Sequence, residues 1–163
     1  MQFHKLDQID IQILQIIQKR ARIKRKDLAE LVHLTIPAVS ERMRKMQEEG
    51  YIKKYTTVLD PKKVNLGVTA FIFIKVDTSS HYSDVITQAL KYPEILECHA
   101  ITGAGSHLLK VRTINVDGLE KLLSIIQSWD GVINTKTNLV LSSPKESTEL
   151  SLDHLSIEEK EQV

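Results

Sequence analysis

The sequence predicts an α+β protein in which three N-terminal helices are followed by a βαββαβ domain with an antiparallel sheet. Residues 7–49 carry apolar residues at helical spacing in three successive segments. Residues 68–143 alternate between runs rich in β-branched and aromatic residues and runs with helical spacing. Asp60-Pro61-Lys62-Lys63 breaks the pattern between them. We therefore predict an N-terminal domain over 1–60, a linker over 61–67, a second domain over 68–143 and an acidic tail over 144–163.

The first two predicted helices differ in how clearly their ends are marked. Asp7 is a good N-cap for the first helix, Asp10 favours its positive end, and the helix fades near Arg20. The second helix covers Arg25 to Val32, but Lys24 stands where a Ser or Thr cap is more usual. The first helix has a buried stripe at Ile9, Ile13, Ile16 and Ile17. The second has packing positions at Leu28, Ala29, Leu31 and Val32.

A corner at His33-Leu34-Thr35 leads into the third predicted helix. Histidine tolerates left-handed backbone better than most residues, so His33 suits a tight turn. Thr35 is the cap, and Pro37 lies in the first turn, where its missing N–H costs no hydrogen bond. Gly50 ends the helix. Its buried side is predicted at Val39, Met43 and Met46, which recur at i, i+4 and i+7.

The opposite side of the third helix presents a polar face. At 100° per residue this face and its flanks consist of Pro37, Ser40, Glu41, Arg44 and Lys45. The next segment, YIKKYTTVL (51–59), predicts a basic strand. Together these features form a winged helix-turn-helix pattern, which is typical of proteins that place a helix in the DNA major groove. A plainer interpretation is a solvated helix surface on which Arg44 pairs with Glu48.

The remaining elements occur in the order β-α-β-β-α-β, which is that of a ferredoxin-like domain. Pro93 and Gly131 mark the ends of its two helices, and Ala104-Gly105 is a tight turn between its middle strands. The strands are predicted over 68–77, 95–103, 106–114 and 132–143, and the helices over 81–93 and 116–131. Because such folds host many functions, the fold alone does not indicate one.

Charge is unevenly distributed along the chain. Residues 1–63 hold 14 Lys+Arg and 8 Asp+Glu, a net +6, and residues 64–163 hold 8 and 13, a net −5. This asymmetry suggests that only the first third meets a polyanion. The segment 144–163 has 2 positive and 6 negative residues, a net −4. We interpret it as a solvated extension with one marginal helix; the alternative is that it covers a partner surface or repels non-specific DNA.

The composition predicts a cytoplasmic protein. The single cysteine, Cys98, excludes an intramolecular disulfide and fits a reducing compartment. No apolar run approaches the roughly 20 residues that a membrane span needs, so we expect no membrane partner. The N-terminus is polar and charged from the start, which does not fit a signal peptide.

No catalytic pattern occurs in the sequence, and we expect neither enzyme activity, a metal nor a cofactor. Cys98 and His99 are neighbours on a strand and point to opposite faces, so they cannot act as a pair. A metal site from His99 and His107 across the hairpin is short of ligands. Cys98 is expected to be a small buried apolar residue. The six histidines are scattered, at His4, His33, His81, His99, His107 and His154.

The two halves together resemble the Lrp/AsnC ("feast or famine") transcription regulators of bacteria and archaea. The resemblance covers roughly residues 6–143. It rests on LDQIDIQILQIIQKRAR, on DLAELVHLTIPAVSERMRKMQEEGYIKKYTTVLDPKKVNLG and on GVINTKTNLVL. These pieces are specific in combination, and the acidic tail lies outside them.

The resemblance implies homodimers through the βαββαβ domain, often ring-like octamers that wrap DNA, and a small effector, commonly an amino acid, held between dimers. By position, the effector loop of the family corresponds to TGAGSHLLKV (102–111). Ser106 stands where family members often carry an aspartate that can pair with an amino group. Without that carboxylate, affinity for a free amino acid should fall, or the ligand should differ, or no ligand binds. The effector-binding residues implied are Gly103, Ala104, Gly105, Ser106, Thr135 and Thr137.

The leading hypothesis is a sequence-specific transcription regulator that binds double-stranded DNA. Ser40, Glu41 and Arg44 would face base edges, with Arg44 the best candidate for a guanine contact. Two alternatives stay open: a non-specific, DNA-wrapping architectural protein, and an effector-sensing module whose helix-turn-helix serves mainly as a docking surface. The full predicted DNA-binding set is Lys24, Arg25, Lys26, Thr35, Pro37, Ser40, Glu41, Arg42, Arg44, Lys45, Lys53 and Lys54.

Overall fold

The protein is described by a computed structural model that covers residues 6–103 and 105–157, with the backbone alone at 156 and 157. These residues form two compact units. The first, here called the N-terminal unit, contains residues 6–58 together with 146–157. The second, the sheet unit, contains residues 59–145. The predicted linker belongs to the sheet unit, where residues 61–65 form a turn, and residues 146–157 of the predicted tail belong to the N-terminal unit.

The N-terminal unit contains the three predicted helices: α1 (Gln8–Lys19), α2 (Arg25–Leu31) and α3 (Ile36–Glu48). Helix α1 begins with a reciprocal cap. The Asp7 carboxylate accepts the Asp10 N–H, and the Asp10 carboxylate accepts the Asp7 N–H. No side chain caps α2, as Lys24 at its N-cap led us to expect. The three predicted helices are present, and the caps of α1 and α3 join residues that are close in the sequence.

The corner between α2 and α3 adopts the predicted geometry. His33 takes the left-handed conformation, with φ 53°. The Thr35 hydroxyl oxygen accepts the Ala38 N–H at the start of α3. Gly50, with φ 82°, lies past the end of α3 in a conformation that favours glycine. The helix-turn-helix prediction is therefore confirmed at its turn and at both ends of α3.

The predicted core of this unit is correct on α3 and only partly correct on α1 and α2. Leu31 was predicted to pack inward, but it is 51% exposed. Its direction differs by 60° from that of Leu28 and by 100° from that of Val32, which places it at the edge of the buried side. Ile9 and Ile16 are only partly buried. The buried core consists of Ile13, Leu14, Ile17, Leu28, Ala29, Val32, Val39, Met43, Met46 and Ile52.

The predicted strand over residues 51–59 is wrong. This segment contains bends and irregular backbone, and it pairs with no strand within the described chain. A strand is stable only when a neighbouring strand shares its backbone hydrogen bonds. The described part of the N-terminal unit contains no such neighbour. Ile52 alone in this segment is buried.

The sheet unit has the predicted ferredoxin-like arrangement. Its elements are β1 (Val68–Val76), a 3₁₀ turn (Ser79–His81), α4 (Tyr82–Ala89), β2 (Ile95–Ala100), β3 (His107–Thr113), α5 (Val116–Gln127) and β4 (Val132–Leu139). The strand order is β2-β3-β1-β4, and every neighbouring pair is antiparallel. Helix α4 ends at Ala89, four residues before the end of the helix predicted over 81–93. Ala104, half of the predicted tight turn, lies outside the described residues.

The core of the sheet unit lies on one face of the sheet. Inward residues of β1 and β3, such as Ile72 and Leu109, pack with Val85 of α4 and with Leu122 and Ile126 of α5. The opposite face, here called the open face, is formed by the alternate residues Phe71, Phe73, Lys75, Leu108, Lys110, Asn134, Lys136 and Asn138. None of the described helices of this unit packs on the open face.

Residues 149–151 of the predicted tail are exposed, as expected for a solvated extension, but the segment also contacts the N-terminal unit and Leu152 is partly buried. Leu150 forms hydrogen bonds with Gln18, Glu149 forms an ion pair with Lys19, and Leu152 packs against the core of the N-terminal unit. The predicted marginal helix is present as α6 (Asp153–Ile157). Among the described helices, none is long and apolar enough to cross a membrane.

Candidate nucleic-acid interface and effector loop

The outward side of α3 is polar, and its inward side packs on the core of the N-terminal unit. Val39, Met43 and Met46 hold the helix on the core. The helical period then directs Pro37, Glu41, Arg44 and Lys45 outward, where all four are exposed, while Ser40 is partly buried at the edge. The surface therefore has the shape and polarity of a groove-reading helix.

Arg44 is held by carboxylates of its own helix. Its guanidinium donates two hydrogen bonds to Glu41, at 2.8 and 2.7 Å, and one to Glu48. The hydrogen bond from Arg44 lowers the pKa of Glu41, and the bonds to Glu41 and Glu48 raise the pKa of Arg44, so Glu41 and Arg44 are both charged near neutral pH. A base contact by Arg44 requires these bonds to open. Because exposed pairs of this kind contribute little, opening them costs little free energy.

Arg42 lies on the other side of α3 and faces α1. Its guanidinium contacts the Asp7 and Asp10 carboxylates at 2.7 and 2.8 Å. The hydrogen bond to Asp10 raises the pKa of Arg42. Burial would raise the pKa of Asp7, but hydrogen bonds from the Asp10 N–H and from Arg42 lower it overall. Arg42 was predicted as a phosphate contact, and the structure instead places it as an anchor between the two helices.

The other predicted DNA contacts are five exposed cations outside α3 and the N-cap residue Thr35. Lys24, Arg25 and Lys26 stand at the start of α2, and Lys26 is 3.9 Å from Glu30. Lys53 and Lys54 lie in the irregular segment after α3. Thr35 is exposed, and its oxygen is used as the helix cap, which leaves its O–H able to donate to a phosphate.

The effector loop predicted from the resemblance is built around a close backbone approach. The Ser106 N–H and hydroxyl both donate to the Ile74 carbonyl, at 2.8 and 3.1 Å, and Ser106 is only 7% exposed. A Cβ on Gly105 would lie 3.0 Å from the same oxygen, so the position suits glycine. Gly103 has φ 104°. The Ser106 hydroxyl is thus engaged in a hydrogen bond within the sheet unit.

The sheet separates the two groups of predicted effector residues. Thr135 and Thr137 pair with Ile74 and Ile72, so they face the side covered by the helices, where Gln127 donates to the Thr135 hydroxyl at 3.0 Å. Gly105 instead lines a shallow pocket of about 310 Å³ on the open face. The other residues of that pocket are Phe73, Ile74, Lys75, Asn134, Lys136 and Asn138.

His107, next to the effector loop, is fully buried. Its Nδ1 is 3.0 Å from the Ser106 hydroxyl, its ring meets Tyr82 edge-on, and its Nε2 has no hydrogen-bond partner among the described residues. Burial lowers the pKa of His107. Since an unfolded histidine binds its proton near pH 6.5, the unfolded state takes up more protons below that pH. The contribution of His107 to stability is therefore complete above about pH 6.5 and is lost as the pH falls.

We expect wild-type protein to lose more stability between pH 7 and pH 5 than His107→Leu does, because leucine cannot bind a proton. Urea unfolding at a series of pH values measures this difference. The ion pair of His81 with Asp77 is common to both proteins. Ile72→Val, which exchanges two apolar side chains at a buried position of the same unit, is the control and should keep the wild-type slope. Parallel pH profiles for wild type and His107→Leu would contradict the prediction.

The predicted separation of Cys98 and His99 is present in the sheet. Cys98 pairs with Leu109 and packs against the core, while His99 pairs with Leu108 on the open face. Cys98 is partly rather than fully buried, and burial raises the pKa of its thiol. His107 faces the helices, so a metal site shared by His99 and His107 is excluded. No group of three potential metal-ligating residues occurs in the described ranges.

Sequence reasoning missed two sets of contacts in the N-terminal unit. Asp10 was interpreted only as a favourable charge at the helix end, yet it is 2% exposed and bonded to Arg42. Its spacing from Ile13 and Ile17 placed it on the buried stripe, which was the available signal. The contacts of Gln18 with the tail had a weaker signal, the alternation of Leu150 and Leu152 within a polar segment.

Family models match both units of the chain. Residues 6–53 match a "Winged helix-turn-helix DNA-binding" model, and residues 69–150 match the "Lrp/AsnC ligand binding domain" model. The second match alone covers half of the chain. The protein belongs to the Lrp/AsnC family.

Relatives in this Lrp/AsnC family align over nearly their whole length. The chain is 37% identical over 147 residues to the HTH-type transcriptional regulator FL11 of Pyrococcus horikoshii, which covers 90% of this chain and 97% of that protein. It is 32% identical over 148 residues to the leucine-responsive regulatory protein of Escherichia coli K12, covering 89% and 90%. The crystal structure of a transcriptional regulator from Neisseria meningitidis in complex with L-Met has a TM-score of 0.87, with 32% identity and coverage of 92% and 99%.

Proposed function

We propose that the protein is a sequence-specific DNA-binding transcription regulator whose α3 enters the major groove. The observation that carries this proposal is the capped helix α3, seated on a packed core by Val39, Met43 and Met46 with its polar side exposed. In this proposal Ser40, Glu41 and Arg44 meet base edges. Arg42 acts indirectly, by holding α3 on α1.

Phosphate contacts are assigned to the exposed cations around α3, because phosphates fix the position of a protein on DNA and base edges provide the sequence preference. Lys24, Arg25 and Lys26 serve at the start of α2, Lys45 on α3, and Lys53 with Lys54 after α3. Thr35 caps α3 and Pro37 lies in its first turn. The N-terminal end of a recognition helix is the part that commonly contacts the bases.

The open face of the sheet unit supports self-association as a homodimer. Phe71, Phe73 and Leu108 are partly buried apolar residues on a face that the described helices of the unit leave uncovered. An apolar sheet face is stabilised when it packs against a second surface. A dimer presents two α3 helices to two half-sites, and further association to an octamer would allow DNA wrapping. A regulator of this kind acts where DNA is, which we take to be the cytoplasm.

Fluorescence anisotropy tests the proposal directly. Binding to the fragment upstream of the protein's own gene is compared with binding to a scrambled duplex over a salt series. A preference of about 10³-fold or more for the upstream fragment supports a specific regulator. Equal affinities with a steep salt dependence support the alternative of an architectural DNA-wrapping protein. Absence of binding to both would favour an effector-sensing module without a DNA target.

Arg44→Ala is expected to reduce sequence preference by about 1–3 kcal/mol, because a bidentate guanine contact is lost. Lys54→Ala is expected to weaken binding to every duplex and to lower the salt slope by about one. Anisotropy with upstream and scrambled duplexes separates the two effects, and each variant serves as the control for the other. Equal losses on both duplexes for Arg44→Ala would refute its role at base edges.

The effector site is proposed at the loop 102–106; Thr135 and Thr137 lie on the other side of the sheet and are a separate candidate group. The buried Ser106 hydroxyl offers no charge to an ammonium group, and a buried ammonium needs a charged or multiply hydrogen-bonded partner. We therefore expect weak or undetectable heat in calorimetric titrations with the common amino acids. A tight, stoichiometric isotherm for wild type with leucine or asparagine would contradict this expectation.

Regulation by binding, without catalysis, is the activity we propose for this chain. Burial raises the pKa of the Cys98 thiol, and no group of three potential metal-ligating residues occurs among the described residues. This description agrees with a family that consists of transcriptional regulators.

A further inference from the structure

The C-terminal segment is recognised by a side chain of α1. The Leu150 N–H donates to Gln18 Oε1 at 2.8 Å, and Gln18 Nε2 donates to the Leu150 carbonyl at 3.2 Å. One primary amide thus satisfies both backbone groups of a single residue, as a neighbouring strand would. This arrangement fixes the position of the segment along α1.

Two further contacts lie on either side of this amide pair. Glu149 Oε1 is 3.2 Å from Lys19 Nζ, and Leu152 packs against the core of the N-terminal unit. Leu150 and Leu152 line a cleft of about 450 Å³, together with Leu14 and Ile17 of α1. The backbone, an acidic residue and an apolar residue of the segment are therefore each matched by a different group of the unit.

The same cleft is lined by Lys53 and Lys54, two of the proposed phosphate contacts. The segment 144–163 has a net charge of −4, and Glu149 already neutralises Lys19. A docked tail therefore lowers the positive potential that a DNA backbone would meet at this side of the unit. DNA phosphates and the tail carry the same sign of charge, so both are attracted to the cations at this cleft.

We propose that α1 and the segment after α3 form a recognition site for residues 148–152 of the chain's own tail. In this site the tail competes with DNA phosphates for Lys19, Lys53 and Lys54. The inference rests on the proposed function, since it needs DNA as the competitor. The docked tail would weaken non-specific DNA binding, which depends on charge alone. Operators that also offer base contacts would then be favoured.

The test uses full-length protein with Gln18→Ala, which removes both hydrogen bonds to Leu150, and Glu149→Gln, which removes the ion pair. Glu120→Gln on α5 is the matched control, because it makes the same charge change in the sheet unit. Pulsed hydrogen exchange of a peptide containing residues 148–152 reports tail docking. Anisotropy with a scrambled duplex over a salt series reports non-specific affinity.

We expect the scrambled duplex to accelerate exchange of this peptide in wild type. Gln18→Ala and Glu149→Gln should accelerate it without DNA and tighten binding by about three- to tenfold at low salt, an advantage that high salt removes. Glu120→Gln should change neither quantity. DNA binding that leaves tail exchange unchanged, or tail release without a gain in affinity, would overturn the inference and leave the proposed function intact. Failure of every variant to bind any duplex would overturn both.

Discussion

Replacing Arg42 with methionine is expected to lower the free energy of unfolding by about 2–3 kcal/mol. The change leaves the Asp10 carboxylate, 2% exposed, without its guanidinium partner, and removal of one member of a buried ion pair typically costs about 3–5 kcal/mol. We expect a smaller loss than this typical range because the Arg42 side chain is 29% exposed and Asp7 is more exposed still. Chemical denaturation measures the loss.

Arg44→Met is the matched control for Arg42→Met. It removes an arginine two residues away whose contacts with Glu41 and Glu48 are exposed, so its effect should stay below about 1 kcal/mol. Combining Arg42→Met with Asp10→Leu should recover part of the stability, since no carboxylate is then buried at that position. Equal destabilisation by the two arginine variants would show that the contact with α1 is not an anchor.

Gly131→Ala is expected to destabilise the sheet unit by about 2 kcal/mol or more. Gly131 has φ 79°, a conformation that costs a residue with a Cβ about 1–2 kcal/mol. A Cβ there would also lie 2.3 Å from His81 Nδ1 and 2.6 Å from the His81 Cβ, so the whole side chain must move. That movement breaks the 2.6 Å contact of His81 with Asp77.

Thermal unfolding and NMR titration together check the Gly131 prediction. The hydrogen bond to Asp77 raises the pKa of His81, so this pKa should fall back in Gly131→Ala. Gly67→Ala is the control: it has open space around its Cβ position and no positive φ, and its effect should stay within about 0.5 kcal/mol. A Gly131→Ala protein with wild-type stability and an unchanged His81 pKa would contradict the prediction.

The helices of the N-terminal unit were predictable because their signals are local. Asp7, Thr35 and Gly50 act on backbone groups within a few residues, and the buried side of α3 follows from helical period alone. The error over residues 51–59 has the opposite cause. Strand formation depends on a neighbouring strand, which local composition does not reveal.

The sequence predicted which side chains of α3 point outward, but it did not predict every ion pair that these and neighbouring side chains form. The period of α3 correctly placed Arg44 outward, and its spacing from Glu48 allowed their contact to be anticipated. The partner of Arg42 lies 32 residues away in sequence, at Asp10, and depends on how two helices pack. Likewise, the side of the sheet faced by Thr135 and Thr137 follows only once the register between β4 and β1 is known.

The N-terminal unit is assembled from the two ends of the sequence, and this has a consequence for biosynthesis. Gln18 and Leu150 are separated by 132 residues, so at roughly 5–20 residues per second the ribosome delivers the second on the order of ten seconds after the first. The contacts between α2 and α3 are local and can form early. Until then Lys19 lacks Glu149, its partner in the folded unit. The ion pair between the two ends of the N-terminal unit is therefore a late step in its assembly.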